Sequence, residues 1–286
     1  MIDNGQFLEF LELMICPSCF KSNFSRNESF ISCKSCNQKF SVFKNQTVIF
    51  EKVYEPINKS NNFSELPKYQ GAKNWRDLNS THISNWSRSV KESDYVLDLG
   101  CGPLTNFHFL KHAKTIYIDG GLFDDINMVC NFEKKIFIRD NSVDKILLSN
   151  VLEHIYKPSI LFAEMHRVLK VDADCLVLVP FIIKHHQEPF DFNRYTRHYL
   201  KRLSLETGFK IICIKEIGSI SNILGTFLRI QKKEKKDMNK IDIKTKIIYF
   251  IRDIIYLLYR IDRKLSKDEK ASNSSPQGFL LHLKKI

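Results

Sequence analysis

The sequence has no run of about 18 uncharged apolar residues, the length that a membrane-spanning helix requires. The nearest approach is the segment 247–261, which Arg252, Asp253 and Arg260 interrupt, so we expect no conventional transmembrane helix. Glycine and proline are also scarce, with 10 and 8 among 286 residues, which excludes collagen-like and low-complexity chains. The first 14 residues lack the basic region and the apolar core of a secretory signal, and we therefore expect a cytoplasmic protein.

Acidic residues are outnumbered by basic ones. The chain has 32 Asp and Glu against 44 Lys and Arg, a net charge of +12, and 43% of its residues are hydrophobic. The apolar fraction excludes a wholly disordered chain, and the length suits one large domain or one large and one small domain. The basic balance predicts an acidic partner, which could be a nucleic acid, an anionic membrane surface or a phosphorylated substrate.

Half of the eight cysteines form two closely spaced pairs. The pairs are Cys16-Pro-Ser-Cys19 and Cys33-Lys-Ser-Cys36, with 13 residues between them. This spacing is typical of tetrahedral zinc sites, although two disulfides or chance spacing are the alternatives. A cytosolic location argues against disulfides, and we predict structural zinc because four thiolates leave no open position on the metal. The other four cysteines are isolated and are interpreted as small buried residues: Cys101, Cys130, Cys175 and Cys213.

The segments around these pairs alternate between polar and apolar residues, as short strands do, at 29–32, 39–43 and 47–50. With its cysteine pairs, this pattern resembles the small zinc ribbons found with methyltransferases. We predict a β zinc ribbon over residues 1–57, stabilised by the metal because so short a chain cannot build a full core. Polar turn-forming residues predict a linker at 58–67, followed by a second domain at 68–286.

The second domain opens with a buried strand and a glycine-rich turn, Tyr-Val-Leu-Asp-Leu-Gly-Cys-Gly, from position 95. Gly100 and Gly102 suit a backbone that approaches a nucleotide-type ligand at the carboxyl end of a parallel sheet. The dinucleotide fingerprint needs a third glycine where Thr105 stands, which disfavours nicotinamide chemistry. A second strand ends at Asp119, where a carboxylate can accept hydrogen bonds from ribose hydroxyls.

Strands and helices then alternate along the chain, which predicts an α/β fold. Strands are predicted at 143–149, 175–179, 209–216 and 277–283, and helices at 159–169 and after Thr196, which can cap its first turn. A helical lead-in is predicted between residues 68 and 90.

Four successive segments, VLDLGCG, YID, DNSVDKILLSNVLEHI and EMHRVLK, resemble the motifs of class I S-adenosylmethionine-dependent methyltransferases of the type 11 kind. The resemblance implies a Rossmann-like seven-stranded sheet with helices on both faces, and S-adenosylmethionine as cofactor. It also implies roles for individual residues. By this resemblance the methionine end of the cofactor is held by Asp98, Gly100 and Gly102, and its ribose is held by Asp119. The adenine region is contacted by Asn131, and the edge near the sulfonium is contacted by Asn150. The family often has a third glycine where this chain has Leu104.

The loop after the strand at 175–179 gathers titratable groups at the same edge of the sheet. His186 is our candidate general base, with His185 and Asp191 behind it, and Arg194 and His154 are candidate substrate residues. The alternatives are a salt bridge between Asp191 and Arg194 that orders the loop, and a structural role for His154.

The loop pattern H-x-x-P-x-D-x-x-R-x-T also resembles a segment of bacterial methyltransferases associated with cell-surface glycan assembly. It implies a glycan or glycolipid precursor as acceptor and a role in polysaccharide biosynthesis. The alternatives are an RNA base methyltransferase, disfavoured because no basic-aromatic nucleic-acid motif is evident, and a catalytically degenerate ribbon protein that binds a partner.

A basic amphipathic insertion is predicted at about 219–276. Residues 229–264 contain 12 Lys and Arg against 5 Asp and Glu, which gives +7 of the net charge. The part from 244 to 265 combines apolar and basic residues as a helix lying on an anionic membrane does. We therefore expect peripheral contact with the inner face of a membrane, with packing on the domain or a homodimer contact as the alternatives.

Overall fold

The computed structural model describes residues 4–44, 46–55, 75–218 and 276–286, together with Ile223, Phe250, Ile254 and Leu257. The predicted linker at 58–67 lies outside the described residues. The predicted insertion at 219–276 and its segment 244–265 also lie outside them, apart from those four positions and residue 276. Within the described part of the chain, no helix is long and apolar enough to cross a membrane.

The N-terminal part is a helix followed by a four-stranded antiparallel meander. Its elements are α1 (Asn4–Leu13), β1 (Phe24–Arg26), β2 (Phe30–Cys33), β3 (Lys39–Phe43) and β4 (Thr47–Ile49). Cys16 and Cys19 lie in the turn after α1, Cys33 ends β2, and Cys36 lies in the turn before β3. The predicted strands therefore form, and their turns bring the two cysteine pairs together as in a zinc ribbon.

The second part alternates strands and helices as predicted. The strands are β5 (Tyr95–Leu99), β6 (Lys114–Asp119), β7 (Met128–Val129), β8 (Val143–Ser149), β9 (Leu169–Pro180), β10 (Phe209–Ile217) and β11 (Gly278–Lys285). The helices are α2 (Trp75–Ser87), α3 (Phe107–Leu110), α4 (Pro158–Val168) and α5 (Arg197–Glu206). Thr196 caps α5 as predicted, because its side chain accepts a hydrogen bond from the backbone N–H of Tyr199.

These seven strands form one mixed sheet in the order β7-β6-β5-β8-β9-β11-β10. The strands from β7 to β9 are parallel, and β11 is antiparallel to both of its neighbours. The order reverses between β5 and β8, and ligands bind at such a reversal beyond the carboxyl ends of the strands. The seven-stranded Rossmann-like sheet is therefore confirmed.

The ribbon and this sheet are continuous. Strand β4 pairs in parallel with β7, with Val48 opposite Met128, so that one sheet of eleven strands runs through both parts. The backbone N–H of Val48 donates to the carbonyl of Asn127 at 2.9 Å, and that of Phe50 donates to the carbonyl of Val129 at 2.9 Å. The ribbon thus covers what would otherwise be an exposed edge at β7.

Alternation along the central strands gives the sheet two apolar faces. Leu97 and Leu99 of β5 belong to one buried cluster, and Val96 belongs to the other. Helices α1, α4 and α5 contribute to the first cluster, and α2 and α3 contribute to the second. Helices therefore pack on both faces, as the period-two pattern of a doubly covered sheet requires.

Helix α1 was not predicted from the sequence. Its buried residues Phe7, Phe10 and Leu13 recur at three-residue spacing and join the same core cluster as Leu97 and Leu99 of β5. The ribbon therefore shares a hydrophobic core with the larger part of the chain. Burial against the sheet stabilises it in addition to any metal.

Candidate functional site

The carboxyl ends of the parallel strands bring the predicted cofactor residues to one edge of the sheet. Asp98 lies near the end of β5, Asp119 ends β6, and Asn150 follows β8 directly. The glycine-rich turn leaves β5 at the same edge, beside the reversal in strand order. This is where a doubly wound sheet binds its ligand.

The carboxylate of Asp98 is fully buried. Neither of its oxygens has a hydrogen-bond partner among the described residues. Burial raises the pKa of Asp98 to about 7, an effect that the nearby Asn106 side chain opposes and the charge of Asp119 reinforces. A buried carboxylate without a partner is costly, so this group is arranged to meet a cation or a hydrogen-bond donor from a ligand.

The glycine turn needs its glycines for two different reasons. Gly100 has a φ of +73°, and a Cβ there would lie 2.2 Å from Cγ2 of Val151, so this glycine permits close packing of the loop after β8. Gly102 has a φ of +54°, and a Cβ there would meet almost open space. Leu104 also adopts a positive φ, +54°. The chain thus keeps the left-handed turn where the related family often has its third glycine.

Asp119 is buried and accepts three hydrogen bonds from described groups. The backbone N–H of Gly102 donates to it at 2.8 Å, that of Gly121 at 2.9 Å, and the hydroxyl of Tyr54 at 2.5 Å. Burial raises the pKa of Asp119, and these donors oppose that rise. The bond from Gly102 ties the ends of β5 and β6 together, which orients the carboxylate within the predicted ribose site.

Residues 51–55, which we call the exit segment because they follow the last ribbon strand, cover this part of the edge. Tyr54 packs on Gly120 and Gly121, and its ring lies 6.0 Å from that of Phe190. Glu51 accepts a hydrogen bond from the side chain of Asn131 at 3.3 Å. Both residues assigned to the adenosine end, Asp119 and Asn131, therefore have partners in the exit segment.

Asn150 has a φ of +58° and faces helix α2. Its side-chain oxygen accepts hydrogen bonds from the indole N–H of Trp75 and from Asn79, the latter at 3.1 Å. The start of α2 therefore lies against the loop that follows β8, and Trp75 is buried there. These bonds hold the predicted sulfonium-side asparagine in a strained backbone conformation, which is common at ligand sites.

These groups fit S-adenosylmethionine. The cofactor's methionine end carries an ammonium group, and the orphaned Asp98 carboxylate is the complementary buried charge. The open space at Gly102 leaves room for a ligand beside the backbone. Asp119 supplies the acceptor that ribose hydroxyls need. A ribose hydroxyl would either share Oδ1 of Asp119 with the Tyr54 hydroxyl or displace that hydroxyl from it.

A second group of titratable side chains lies after β8 and β9. Glu153 is fully buried, and both of its carboxylate oxygens lack a hydrogen-bond partner among the described residues. Its Oε1 lies 3.6 Å from Nε2 of His154 and 3.6 Å from Nε2 of His186. Burial lowers the pKa of His154, whereas the Glu153 carboxylate raises the pKa of His186. We call Glu153, His154 and His186 the Glu–His–His cluster.

The loop that carries His186 is held by an ion pair. Arg194 donates to both carboxylate oxygens of Asp191, at 2.6 and 2.9 Å. Burial raises the pKa of Asp191, but Arg194 and the backbone N–H of His186 lower it to about 2. The bidentate geometry corresponds to the loop-ordering salt bridge, whereas the side chain of His185 is 85% exposed and 3.6 Å from Asp191.

A cleft of about 460 Å³ lies beside this loop, between the ends of β9, β10 and β11 and the start of α5. Basic side chains from the first two turns of α5 are prominent in its lining: Arg197, His198 and Lys201. Glu216 also lines the cleft and lies 3.7 Å from Arg197, so Lys201 is the basic group without an acidic partner among the described lining residues. Phe181 and Phe279 provide an apolar wall. The cleft therefore suits a ligand with an anionic group next to an apolar or sugar surface.

The four ribbon cysteines converge as predicted. Sγ of Cys16 lies 3.6 Å from Sγ of Cys36, and Sγ of Cys19 lies 3.5 Å from Sγ of Cys33. Disulfide sulfurs lie about 2.05 Å apart, and two thiolates on tetrahedral zinc lie about 3.8 Å apart because each bond is about 2.3 Å. The sulfur positions fit a zinc ion.

Sequence reasoning missed three residues of this edge. Glu153 could have been identified, because a charged residue inside the apolar segment Val-Leu-Glu-His-Ile signals a buried charge. Tyr54 and Glu51 lie about 65 and 80 positions from their partners Asp119 and Asn131. No local pattern reveals such long-range contacts.

Comparison with known proteins gives one family match. Residues 97–177 match the family model described as a methyltransferase domain. No curated protein matches the sequence.

Solved structures with similar folds share little sequence with this chain. A SAM-dependent methyltransferase from Archaeoglobus fulgidus is 17% identical, with 73% of this chain and 94% of that chain covered at a TM-score of 0.46. Phosphoethanolamine N-methyltransferase 2 of Haemonchus contortus, in complex with S-adenosyl-L-methionine, is 15% identical, with coverage of 77% and 54% and a TM-score of 0.46. The 1,6-didemethyltoxoflavin-N1-methyltransferase of Burkholderia thailandensis is 13% identical, with coverage of 74% and 80% and a TM-score of 0.47.

Proposed function

We propose that this protein is an S-adenosylmethionine-dependent methyltransferase that methylates a hydroxyl group of an anionic cell-surface glycan or glycolipid precursor. The match of residues 97–177 to a methyltransferase domain supports the reaction class. The observation that carries the acceptor class is the cleft beside the predicted catalytic loop. It places Arg197, His198 and Lys201 at the carboxyl edge of the sheet. Such a charge pattern favours a phosphate or carboxylate on the acceptor.

The cofactor supplies an electrophilic methyl group on a sulfonium. In our proposal the Asp98 carboxylate pairs with the ammonium group of the methionine end, and the Asp119 carboxylate accepts hydrogen bonds from the ribose. The backbone of the turn at Gly100 and Gly102 contacts the cofactor beside them. Asn131 and Asn150 complete the adenine and sulfonium ends. The protein's task is to align the acceptor oxygen behind the methyl carbon and to exclude water.

A hydroxyl acceptor must also lose its proton. The Glu–His–His cluster lies after β8 and β9, at the same edge as the cofactor residues, and we assign activation of the acceptor hydroxyl to it. His186 is its most accessible member, with a side chain 31% exposed. In this proposal Asp191 and Arg194 position the loop that carries His186, and His185 lies at its exposed rim.

The test is transfer of a labelled methyl group from S-adenosylmethionine to candidate acceptors. We expect incorporation into a lipid-linked or nucleotide-linked anionic glycan, with no incorporation into ribosomal RNA. Label found in RNA, with binding that weakens steeply as salt rises, would contradict the proposal and favour an RNA methyltransferase. Binding of S-adenosylhomocysteine without transfer to either class would favour a partner-binding protein.

Two variants of helix α5 test the cleft itself. Lys201→Gln removes a cleft charge, and we expect it to raise KM for the acceptor by about tenfold, the loss of one charge-assisted hydrogen bond. Arg202→Gln is the matched control, because Arg202 is 80% exposed and pairs with Glu206 on the same helix. Equal effects of the two substitutions would contradict the assignment of the cleft.

The ribbon cysteines Cys16, Cys19, Cys33 and Cys36 are proposed to bind one structural zinc ion. The support is their spacing and the separations of their sulfur atoms. Four thiolates complete the tetrahedron, so this zinc would hold the ribbon and take no part in methyl transfer.

We also propose that the segment 244–265 contacts an anionic membrane. Three of its residues, Phe250, Ile254 and Leu257, are helical, exposed, and spaced four and three residues apart. Apolar residues at that spacing form one stripe of a helix. The basic residues of the segment would meet lipid headgroups, each contributing about 1 kcal/mol: Lys244, Lys246, Arg252, Arg260, Arg263 and Lys264.

Vesicle co-sedimentation tests this contact. We expect binding to vesicles with anionic lipid, weakened by salt and absent with neutral lipid. Equal binding to both vesicle types, or no binding, would reject the contact and favour a packed helix or a dimer.

A further inference from the structure

We propose that the Glu–His–His cluster is a binding site for a divalent transition-metal ion, with Glu153, His154 and His186 as its protein ligands. The proposal rests on the function assigned above, because it specifies how that function activates the acceptor hydroxyl. It is separate from the ribbon's cysteine site, because β7, β6 and β5 lie between β4 of the ribbon and β8 in the sheet.

The first support is the separation of the donor atoms. Oε1 of Glu153 lies 3.6 Å from Nε2 of each histidine, and one donor atom from each residue can be chosen so that all three lie within 4.8 Å of one another. Two ligands about 2.1 Å from a tetrahedral ion lie about 3.4 Å apart. A separation of 3.6 Å is too long for a hydrogen bond. The three atoms therefore lie at separations that suit the ligands of one ion.

The second support is the buried carboxylate. Glu153 is 0% exposed, and neither of its oxygens has a hydrogen-bond partner among the described residues. A carboxylate taken out of water needs a cation or several donors. A metal ion between Glu153 and the two histidines would supply that cation.

The third support is the orientation of the imidazole rings. Nδ1 of His154 donates to the carbonyl of Phe190 at 2.7 Å, and Nδ1 of His186 donates to the carbonyl of Lys184 at 3.1 Å. A carbonyl only accepts, so Nδ1 carries a proton in both rings, and Nε2, the nitrogen left for a metal, lies on the side of Glu153. Metal-binding histidines characteristically donate their other N–H to a carbonyl or carboxylate in this way.

The surrounding backbone holds the cluster together from two elements. The backbone N–H groups of Phe192 and Asn193 donate to the carbonyl of Glu153, at 3.0 and 3.1 Å. The Asn193 side chain donates to the carbonyl of Ile155 at 2.9 Å. The loop after β9 is thereby fastened to the 3-10 helix Leu152–His154, so the ligands from both elements are positioned in advance.

Two imidazoles and one carboxylate suit zinc, manganese, iron, cobalt or nickel better than calcium or magnesium. Three protein ligands leave coordination positions open, and the 31% exposed side chain of His186 marks the side that faces solvent. An acceptor hydroxyl bound there would have a lowered pKa, because the cation stabilises the alkoxide.

The metal-bound hydroxyl gives its proton to water, and its oxygen forms a bond to the methyl carbon. The bond between that carbon and the sulfonium sulfur breaks, and sulfur keeps the electron pair as S-adenosylhomocysteine leaves. No oxidant or reductant takes part. In this account the metal replaces direct uptake of the proton by His186.

The test is titration of the full chain, carrying its ribbon metal, with Co²⁺ followed by calorimetry and absorption. We expect one added ion per chain, with d–d bands and without the intense thiolate charge-transfer bands of a cysteine site. Glu153→Gln and His186→Gln should each weaken this binding at least tenfold. His185→Gln is the matched control, since its exposed side chain lies outside the cluster, and it should leave Co²⁺ affinity unchanged.

Titration of the same variants with S-adenosylhomocysteine separates a local effect from misfolding, because Glu153→Gln should still bind this ligand. No added ion in the wild type would overturn the metal site. Equal Co²⁺ binding by wild type and Glu153→Gln would also overturn it, since it would show adventitious binding to surface histidines. Binding of an added ion without methyl transfer to an anionic glycan would instead contradict the proposed acceptor, and the metal site would be retained.

Discussion

At the scale of single residues, the edge of the sheet combines groups that are poorly satisfied without ligands. Asp98 and Glu153 are both buried carboxylates whose oxygens have no hydrogen-bond partner in the described part of the chain. Each costs folding free energy, because a buried carboxylate loses its hydration and gains no hydrogen bond in return. Their shared position at the carboxyl edge indicates that stability is given up there for ligand binding.

Asp98→Asn should therefore stabilise the protein while impairing cofactor binding. The pKa of Asp98 is raised from 3.8 to about 7, so the folded state holds its proton more tightly than the unfolded state does. The wild type then loses stability as the pH rises from about 4 to about 7, and the variant does not. We expect the variant to be more stable at pH 7 by at least about 1 kcal/mol in urea unfolding.

The same variant should bind S-adenosylhomocysteine at least tenfold more weakly, because it cannot pair with the ammonium group. A variant that is less stable than the wild type at pH 7, with unchanged affinity, would refute the role assigned to Asp98.

Tyr54→Phe tests whether the exit segment competes for the ribose site. The Tyr54 hydroxyl donates to Oδ1 of Asp119 at 2.5 Å, and the variant releases this acceptor. We expect S-adenosylhomocysteine to bind up to about tenfold more tightly, the equivalent of one hydrogen bond to a charged group. Calorimetric titration checks the affinity. Weaker binding by the variant would mean that the hydroxyl contacts the cofactor instead of competing with it.

At the scale of the elements, polar side chains lock the central strands in place. Asp174 of β9 joins three other elements: Trp86 of α2 donates to it at 2.9 Å, Lys145 of β8 forms an ion pair with it, and Nε2 of His282 of β11 lies 3.1 Å away. Burial raises the pKa of Asp174, but these partners together lower it to about 2. The charge therefore stabilises the packing of α2 across the sheet.

The contribution of Asp174 should depend on pH. A carboxylate with a depressed pKa stabilises the folded state above its ordinary pKa of about 3.9, and this stabilisation is lost as the pH falls towards 2. We expect Asp174→Asn to lower the free energy of unfolding by about 2 kcal/mol at pH 7. The difference from wild type should shrink between pH 4 and pH 2 in denaturant titrations. A difference that stays constant over that range would show that packing, not charge, is lost.

At the scale of the whole molecule, the ribbon is an extension of the catalytic sheet. The pairing of β4 with β7 and the core contacts of α1 join the two parts. Removal of a ribbon cysteine should therefore also destabilise structure beyond the ribbon. The exit segment that follows β4 also carries Tyr54 to Asp119, so the ribbon's position bears on the cofactor site.

Cys36→Ser should lose about one zinc ion per chain by elemental analysis. Amide exchange should then quicken at Val48, whose N–H bonds to Asn127, while strands β5 and β8 in the centre of the sheet keep their protection. Cys213→Ser is the control. Because Cys213 lies outside the cysteine cluster, this substitution should leave the zinc content unchanged. Full zinc retention by Cys36→Ser would contradict a four-cysteine site.

Much of this architecture is predictable from local patterns. The apolar runs at 95–99 and 143–149 and the cysteine spacing identify strands and a ribbon because each depends on neighbouring residues. The junction of β4 with β7, the contact of Tyr54 with Asp119 and the burial of Glu153 between two histidines join distant positions. Such contacts arise from tertiary packing, which no short window of sequence encodes.

Titration of the protein with S-adenosylhomocysteine tests whether the carboxyl edge of the sheet binds S-adenosylmethionine. We predict one binding site per chain in the wild type and an affinity at least tenfold lower in Asp119→Asn, which loses the charged acceptor for the ribose hydroxyls. Absence of binding by the wild type, or equal affinity in the two proteins, would contradict the account.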